Sequence, residues 1–577
     1  MKEMMRLDSR AAITCHEFLH KRFAPNSFPG LTPDAPDPVV EEFKNQGLLH
    51  EQKTLETLGV LLKGFHQIDQ TQKRESIERE TAQAILDPNV LVIAGGFISG
   101  IAEGELAKAF GVPHVPNDRA SKPDLMVRIG TRSDGRPSWA PVDIKSHTAI
   151  EENKSNWVFS SPLQDLLPNQ DQRSEGRLQF EDLHQLAHYT RHFQRLGIEG
   201  DDLWVGIIGR DLENCVWSRI GDVVIGRGKN QDSFLAVHDE KFAKAKEVIE
   251  LSIIENEEPT KKSGIIPINS SGKMGCTACM YKSTCLKAMQ DFDGGSGHVT
   301  LLARVTPLVV EKNFPEIASI RELIERPATN DAMMTAKIRA RVWQRGIPEL
   351  IDPSSPLEIP EADIEIDIDL ENSMEALRES EIDEPIGEDR LYLYGFGIHD
   401  RTKNKDWRSA EIDTYSDYSN TEEGEFSVMS RMWDRLQLEI QKAETAGNSI
   451  KIFHYSPHEF TWWKRFAERF VGRPGVPTLT ELEEFKIRYL VDLYPIAQRI
   501  SFPTMSYSIK DLAKLAKFTW SVDQAGGANS LFKYRDAINP KIDQRARDEA
   551  INWLDSYNRD DVGATFAVRA YMRSLKI

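Results

Sequence analysis

The chain has 577 residues, 40% hydrophobic and 28% charged, which is a soluble composition too long for one core, so two or more domains are expected. No apolar run approaches the roughly 20 residues that span a bilayer, the first residues lack the apolar stretch of an export signal, and five cysteines in such a length make no disulfide framework, so membrane and secreted classes are set aside and a cytoplasmic protein is expected. The net charge of −18 is uneven: Asp352 to Arg390 holds 15 acidic and 2 basic residues, which leaves −5 for the rest and room for a basic nucleic-acid groove.

Residues 1–295 alternate helical spacing with short β-type runs such as LVIAGGFI, DLMVRI, WAPVDIK and DLWVGIIG, an α/β pattern. The helical pattern GLLHEQKTLETLGVLL is expected to open on His50 and Glu51. Asp124 follows a proline at the start of a strand. Asp143 and Lys145 lie two apart on the next one, after the turn SDGRPS, and therefore share a face. Gln185 and Tyr189 are four apart on the helix EDLHQLAHYTRHF, again on one face. Two aspartates from adjacent strands offer hard oxygen ligands for Mg²⁺ or Mn²⁺. A lysine beside such a cation can orient a water or offset developing charge. A lone Asp-x-Lys is usually a surface pair, and it is the order of all four elements that carries the reading.

Cys276, Cys279 and Cys285 form C-x2-C-x5-C, with Cys15 far upstream. Thiolates at this spacing hold soft metals, zinc or an iron–sulfur cluster. Cys215 alternates with apolar residues and reads as a buried core thiol. Residues 296–355 have helical spacing and form a helical connector. Its Arg339, Arg341 and Arg345 read first as a solvated face, with DNA backbone contact as the alternative. Residues 356–577 are a second α/β region. Asp367, Asp369 and Glu371 share one face of the strand IEIDIDLEN, Glu459 follows a β-type run, Asp492 lies in RYLVDLYPIA, and Tyr557 precedes Asp561 by one helical turn. The acidic piece ENSMEALRESEIDEPIGED reads as a solvated loop.

The first constellation resembles the RecB-like branch of the PD-(D/E)XK nucleases, with their restriction-endonuclease-like α/β fold. That resemblance implies metal ligands at His50, Asp124 and Asp143, the catalytic lysine at Lys145, and Gln185 and Tyr189 contacting DNA or supporting the site. The cysteines are similar to those of Cas4-like and AddB-like nucleases, which implies a 4Fe-4S cluster on Cys15, Cys276, Cys279 and Cys285. The C-terminal acids resemble the DEDD exonucleases of the RNase H-like fold, which bind two metals, implying a two-metal site of Asp369, Glu371, Glu459 and Asp561, with Tyr557 orienting water. Two departures stand out: the second acid is Glu, and HYSPHE replaces the usual N-x-x-F-D. Together the halves look like one group of RecB-like nucleases, in which an iron–sulfur nuclease precedes an RNase H-like domain of the YprB type. The implied activity is metal-dependent hydrolysis of DNA, at single strands or ends, in repair, recombination or defence. The alternatives are an iron–sulfur DNA-end-binding module with little cleavage of its own, and a 3′–5′ exonuclease on DNA or RNA in the C-terminal domain. No P-loop is present, so ATP-driven unwinding requires a helicase partner.

Overall fold

The computed structural model describes residues 5–151, 153, 155–210, 212–227, 230–259, 276, 279–373, 389–523 and 525–576. The chain forms two units, Met1–Asn269 with Cys279–Tyr281, and Ser270–Ala278 with Lys282–Ile577.

The first unit is built on an eight-stranded mixed sheet. Its strands are β1 (Phe65–Gln67), β2 (Val92–Ala94), β3 (Leu125–Thr131), β4 (Pro137–Ile144), β5 (Trp157–Pro162), β6 (Arg173–Glu175), β7 (Trp204–Ile208) and β8 (Asn214–Arg219), in the order β1-β2-β3-β4-β7-β8-β5-β6. The turn expected at SDGRPS joins β3 to β4: Gly135 takes φ +82° and Asp134 Oδ1 accepts from the Arg136 amide at 3.1 Å, a local carboxylate turn at a position glycine tolerates. β7 runs parallel to β4, with Asp143 opposite Ile207. Four helices matter here: α1 (His16–Phe23), α2 (Pro38–Leu61), α3 (Phe180–Leu196) and α4 (Phe234–Glu257). α2 starts on proline, whose missing N–H is not needed at a first helical position. His50 and Glu51 therefore lie in mid-helix and do not open it, since the helix begins twelve residues earlier than the hydrophobic spacing predicted. α3 ends at Gly197 in the left-handed conformation and packs Leu183, Leu186 and Ala187 on Val205 and Ile207.

In the second unit the helices Pro307–Asn313, Ile320–Glu325 and Asp331–Arg345 occupy the connector region, capped by the side chains of Thr306, Ser319 and Asn330. Arg339 is buried and donates to the Ala303 carbonyl oxygen at 2.8 Å, and Arg345 pairs with Glu349. The arginine row is thus not one open face. A five-stranded sheet follows: β9 (Ile364–Asn372), β10 (Leu391–Asp400), β11 (Glu411–Ser416), β12 (Ile450–His454) and β13 (Leu490–Asp492), ordered β11-β10-β9-β12-β13. β9, β10 and β11 are antiparallel neighbours, whereas β12 and β13 run parallel to β9. The acidic piece expected as a loop between β9 and β10 falls largely outside the described residues.

Strand alternation sorts β9 by face. Ile366, Ile368 and Leu370 enter a core with α5 (Glu422–Thr445) and α6 (His458–Arg469). Glu365, Asp367, Asp369 and Glu371 turn the other way. Beyond them come α7 (Ile509–Leu515), α8 (Gly527–Ile538) and the 31-residue α9 (Gln544–Ser574). On β10, Gly395 and Gly397 stand opposite Asp369 and Asp367. A methyl group at Gly395 would lie 2.4 Å from Asn558 Oδ1, and one at Gly397 2.6 Å from Phe566. Two missing side chains let α9 approach the sheet.

Candidate active sites

In the first unit, β3, β4 and α3 bring the Asp-x-Lys residues together. Asp124 immediately precedes β3, and its Oδ2 accepts from the Ile144 amide at 2.7 Å. Asp143 is buried at the end of β4, and its Oδ1 accepts from the Asp124 amide at 3.4 Å. Lys145 Nζ lies 3.2 Å from Asp143 Oδ2 and donates to Gln185 Oε1 at 2.9 Å. Burial works against the lysine's charge, but Asp143, Asp124 and Asp182 together raise its pKa. Asp124 is pushed well above the usual carboxylate range by burial, then by Asp143, with Glu51 adding to it. Tyr189 is buried, donating to Ser9 Oγ and the Lys122 carbonyl oxygen at 3.1 Å each. Here it braces the approach to β3. His50 is buried on α2.

Two further residues were not singled out in the sequence. Asp182, one turn before Gln185 on α3, lies 3.9 Å from Lys145 Nζ and 3.4 Å from His147 Nε2. Its hydrogen bond is the main cause of the raised His147 pKa.

In the second unit, β9 and α9 make the cluster. Ligand atoms of Asp369, Glu371 and Asp561 lie within 4.8 Å of one another, the one such carboxylate, histidine or cysteine group among the described residues. Burial raises Asp369 far above its usual pKa, with Asp561, Glu371 and Glu459 adding repulsion; burial and Asp561 raise Glu371 to about 8. Asp561 is raised by burial too, although Lys510 and the Trp520 N–H oppose it. Like charges this close cannot all ionise unaided. Each acid is oriented by a donor: Asn558 Nδ2 to Asp369 at 2.7 Å, Ser530 Oγ to Glu371 at 3.2 Å, and Trp520 Nε1 to Asp561 at 2.6 Å. Tyr557 is buried one turn before Asp561, and its hydroxyl accepts from Lys510 at 3.1 Å.

Glu459 is outside the trio. It sits in the first turn of α6, and its Oε2 is 3.1 Å from His454 Nδ1. Asp367 is fully buried and paired with Arg569 at 2.8 Å, while Glu365 is held by Arg569 and Arg573. Asp492 caps the helix Leu493–Ala497. Of the four acids on one strand face, α9 neutralises two with arginine and leaves two beside its own aspartate.

A family model of the RNase_H superfamily matches residues 387–573. The second unit thus carries an RNase H-like domain. No curated protein and no solved structure matches the chain. The matched stretch contains Glu459, Tyr557 and Asp561. The strand with Asp369 and Glu371 lies upstream of it and completes the same sheet. The RNase H-like domain suggests a nuclease-type hydrolase, and hard carboxylate oxygens in this number and spacing suit Mg²⁺ or Mn²⁺.

Asn558, Ser530, Trp520 and Lys510 were missed in the sequence. Asn558 alone had a signal there, its place next to Tyr557 in the helix carrying Asp561. Among the cysteines, Cys215 is fully buried on β8. Cys15 immediately precedes α1, whose Phe18 ring lies 5.5 Å from Tyr281. The Tyr281 amide donates to Cys279 Sγ at 3.4 Å. Cys276 and Cys285 are half-buried. No helix among the described residues is long and apolar enough to cross a membrane.

Proposed function

We propose that the chain is a Mg²⁺- or Mn²⁺-dependent deoxyribonuclease whose RNase H-like domain hydrolyses phosphodiester bonds at Asp369, Glu371 and Asp561. The observation that carries this reading is the convergence of those three carboxylates within 4.8 Å, with pKa values raised by burial and mutual repulsion. Such a group releases its protons when a cation shares it. A bound divalent cation supplies charge neutralisation at the phosphoryl oxygens and lowers the pKa of the attacking water. The chain's own contribution is to fix the carboxylates through Asn558, Ser530 and Trp520, and to keep the Tyr557 hydroxyl beside Asp561 to orient the water. Glu459, which adds repulsion at Asp369 while its Oε2 contacts His454, is the proposed fourth acid. Single-stranded DNA or DNA ends are the proposed substrates, with RNA as the competing one.

A second reading rests on a separate observation, Lys145 held between Asp143 and Gln185 with Asp124 alongside. In it the first unit is a PD-(D/E)XK nuclease with His50, Asp124 and Asp143 as ligands. The 4Fe-4S cluster proposed on Cys15, Cys276, Cys279 and Cys285 rests on cysteine spacing alone. If its cleavage is weak, this unit is a DNA-end clamp serving a helicase.

One experiment separates the readings. Wild type, Asp369→Asn, Asp143→Asn and Lys145→Ala are compared on labelled single- and double-stranded DNA and on RNA, with Mg²⁺ or Mn²⁺. Loss in Asp369→Asn alone supports the C-terminal site; loss only in the Asp143 and Lys145 variants overturns it in favour of the second reading. A colourless protein containing stoichiometric zinc would sink the iron–sulfur assignment, which requires broad absorbance near ~400 nm.

A further inference from the structure

Glu459 follows a turn whose shape its own residues do not favour. Between the end of β12 and the start of α6, Ser456 takes φ +107°, a conformation that residues other than glycine rarely adopt and that persists only where the surroundings hold it. What holds it comes from the neighbouring strand. Asp492 ends β13 directly abreast of His454 at the end of β12, and its Oδ1 accepts from the Ser456 amide at 3.0 Å. The same oxygen accepts from the Tyr494 amide at 2.9 Å. One carboxylate therefore ties the turn before α6 to the first turn of the helix Leu493–Ala497. The turn is also closed from within, because His454 Nδ1 donates to the Ser456 carbonyl oxygen at 2.7 Å and lies 3.1 Å from Glu459 Oε2.

Capping a helix does not need this reach, since serine or threonine does it as well. The bond to Ser456 crosses from one strand to the next and serves the turn. Ser456 and Pro457 lead straight into α6, whose first turn carries Glu459, so the conformation of Ser456 sets where that buried carboxylate stands. It stands close enough to add repulsion at Asp369. We propose that Asp492 is a positioning residue of this site: by holding Ser456 at positive φ it keeps Glu459 beside Asp369, so that a fourth acid is in place for metal binding with Asp369, Glu371 and Asp561. This rests on the trio being the hydrolytic centre with Glu459 as its fourth acid. Asp492 acts through the backbone of Ser456, and no bond to it forms or breaks in the reaction. Supporting partners of this kind typically change metal affinity or activity by about 10- to 100-fold.

The test uses the full chain and two readouts. Mn²⁺ alone is titrated into wild type, Asp492→Ser, Asp492→Asn, Glu459→Gln and the double variant of Asp492→Ser with Glu459→Gln. Binding that Asp369→Asn abolishes is assigned to the site, and cleavage of a labelled oligonucleotide is then measured on the same proteins. Serine caps Leu493–Ala497, but its oxygen sits nearer the backbone and does not reach Ser456. Asp492→Ser should therefore bind Mn²⁺ about tenfold more weakly and lose about tenfold in kcat, with KM little changed. Asp492→Asn keeps an acceptor of the same reach and recovers most of both. In the Glu459→Gln background Asp492→Ser should add nothing, because its effect runs through Glu459. Glycine adopts φ +107° freely, so Ser456→Gly added to Asp492→Ser should restore most of the Mn²⁺ affinity. Ser456→Ala, which loses the same hydroxyl but keeps the Cβ, should not. Unchanged Mn²⁺ binding in Asp492→Ser, additive losses in the double variant, or equal rescue by glycine and alanine would overturn the proposal. Cleavage that survives Asp369→Asn would instead refute the hydrolytic reading, and the Mn²⁺ affinities would still report whether Asp492 acts through Glu459.

Discussion

Replacing Gly395 by alanine adds one methyl group at the point where α9 lies closest to the sheet. That methyl would meet Asn558 Oδ1 at 2.4 Å and Val562 Cγ2 at 2.5 Å. Ordinary contacts begin near ~3.5 Å, so helix and strand must part by about 1 Å. Overpacking of this kind typically destabilises by about 1–3 kcal/mol. The site loses more than stability, because the displaced residue holds Asp369 and Asp561 follows it on the same helix. A misplacement of about 1 Å is worth roughly 100-fold in rate. Gly397→Ala is the matched control. Its methyl crowds Phe566 at 2.6 Å and Val562 at 2.8 Å, away from Asn558. Urea unfolding and Mn²⁺-dependent cleavage are measured on both variants. Both should lose similar stability, but Gly395→Ala about 100-fold in kcat/KM and Gly397→Ala less than about tenfold. Equal losses of activity, or a Gly395→Ala protein as active as wild type, would refute the close-approach argument.

Three more outcomes are expected. Glu371 and Asp367, with pKa values raised by burial to about 8 and about 7, hold protons that the unfolded chain releases near pH 4. Their contribution is therefore full below about pH 4 and declines as pH rises toward 7 and 8. The melting temperature of metal-free protein should fall across that range, and Mg²⁺ should restore the Glu371 share but not that of Asp367, which faces Arg569; a metal-free curve flat from about pH 5 to 8 would contradict this. Arg569→Met leaves Asp367 and Glu365 buried without their shared guanidinium, and should lose about 3–5 kcal/mol in urea unfolding. Cys215, fully buried with its thiol pKa pushed up by that burial, should resist a thiol reagent until the protein unfolds; labelling of the native chain at the rate of a free thiol would show the strand is open.

Much of the RNase H-like cluster was legible because two simple periods carry it. A period of two set Asp369 and Glu371 on one face, and a helical turn put Tyr557 over Asp561. The same alternation could not separate Asp367 from Asp369. That difference comes from Arg569, two turns beyond Asp561, and from the antiparallel run of α9 along β9. Helix spacing through 558, 561, 569 and 573 was in principle readable, but only once the helix was known to lie on that strand. Lys510 and Trp520 come from separate segments, and no local period connects them to the acids. In the first unit, Asp143 with Lys145 and Gln185 with Tyr189 followed from spacing. His147 and Asp182 became visible only when α3 was placed against β4. The start of α2 was misjudged because its opening turns before His50 lie outside the apolar spacing of GLLHEQKTLETLGVLL that marked the helix.

The arginine clamp on Glu365 and Asp367 has a consequence for how this sheet assembles. A strand that slips by one residue turns its apolar side to the wrong layer, and the core rejects it. A slip of two residues keeps every side chain on its own face, so the core scarcely registers the error. On β9 such a slip in one direction would move Asp369 to the place of Asp367, against the arginines, and Glu371 to the place of Asp369. Two fixed guanidiniums on a helix packed into glycine gaps distinguish those registers, since only one pairs every buried acid while Asn558 reaches Asp369. The ion pairs then act as an index mark for the strand, setting which two of four nearly equivalent acids stand beside Asp561.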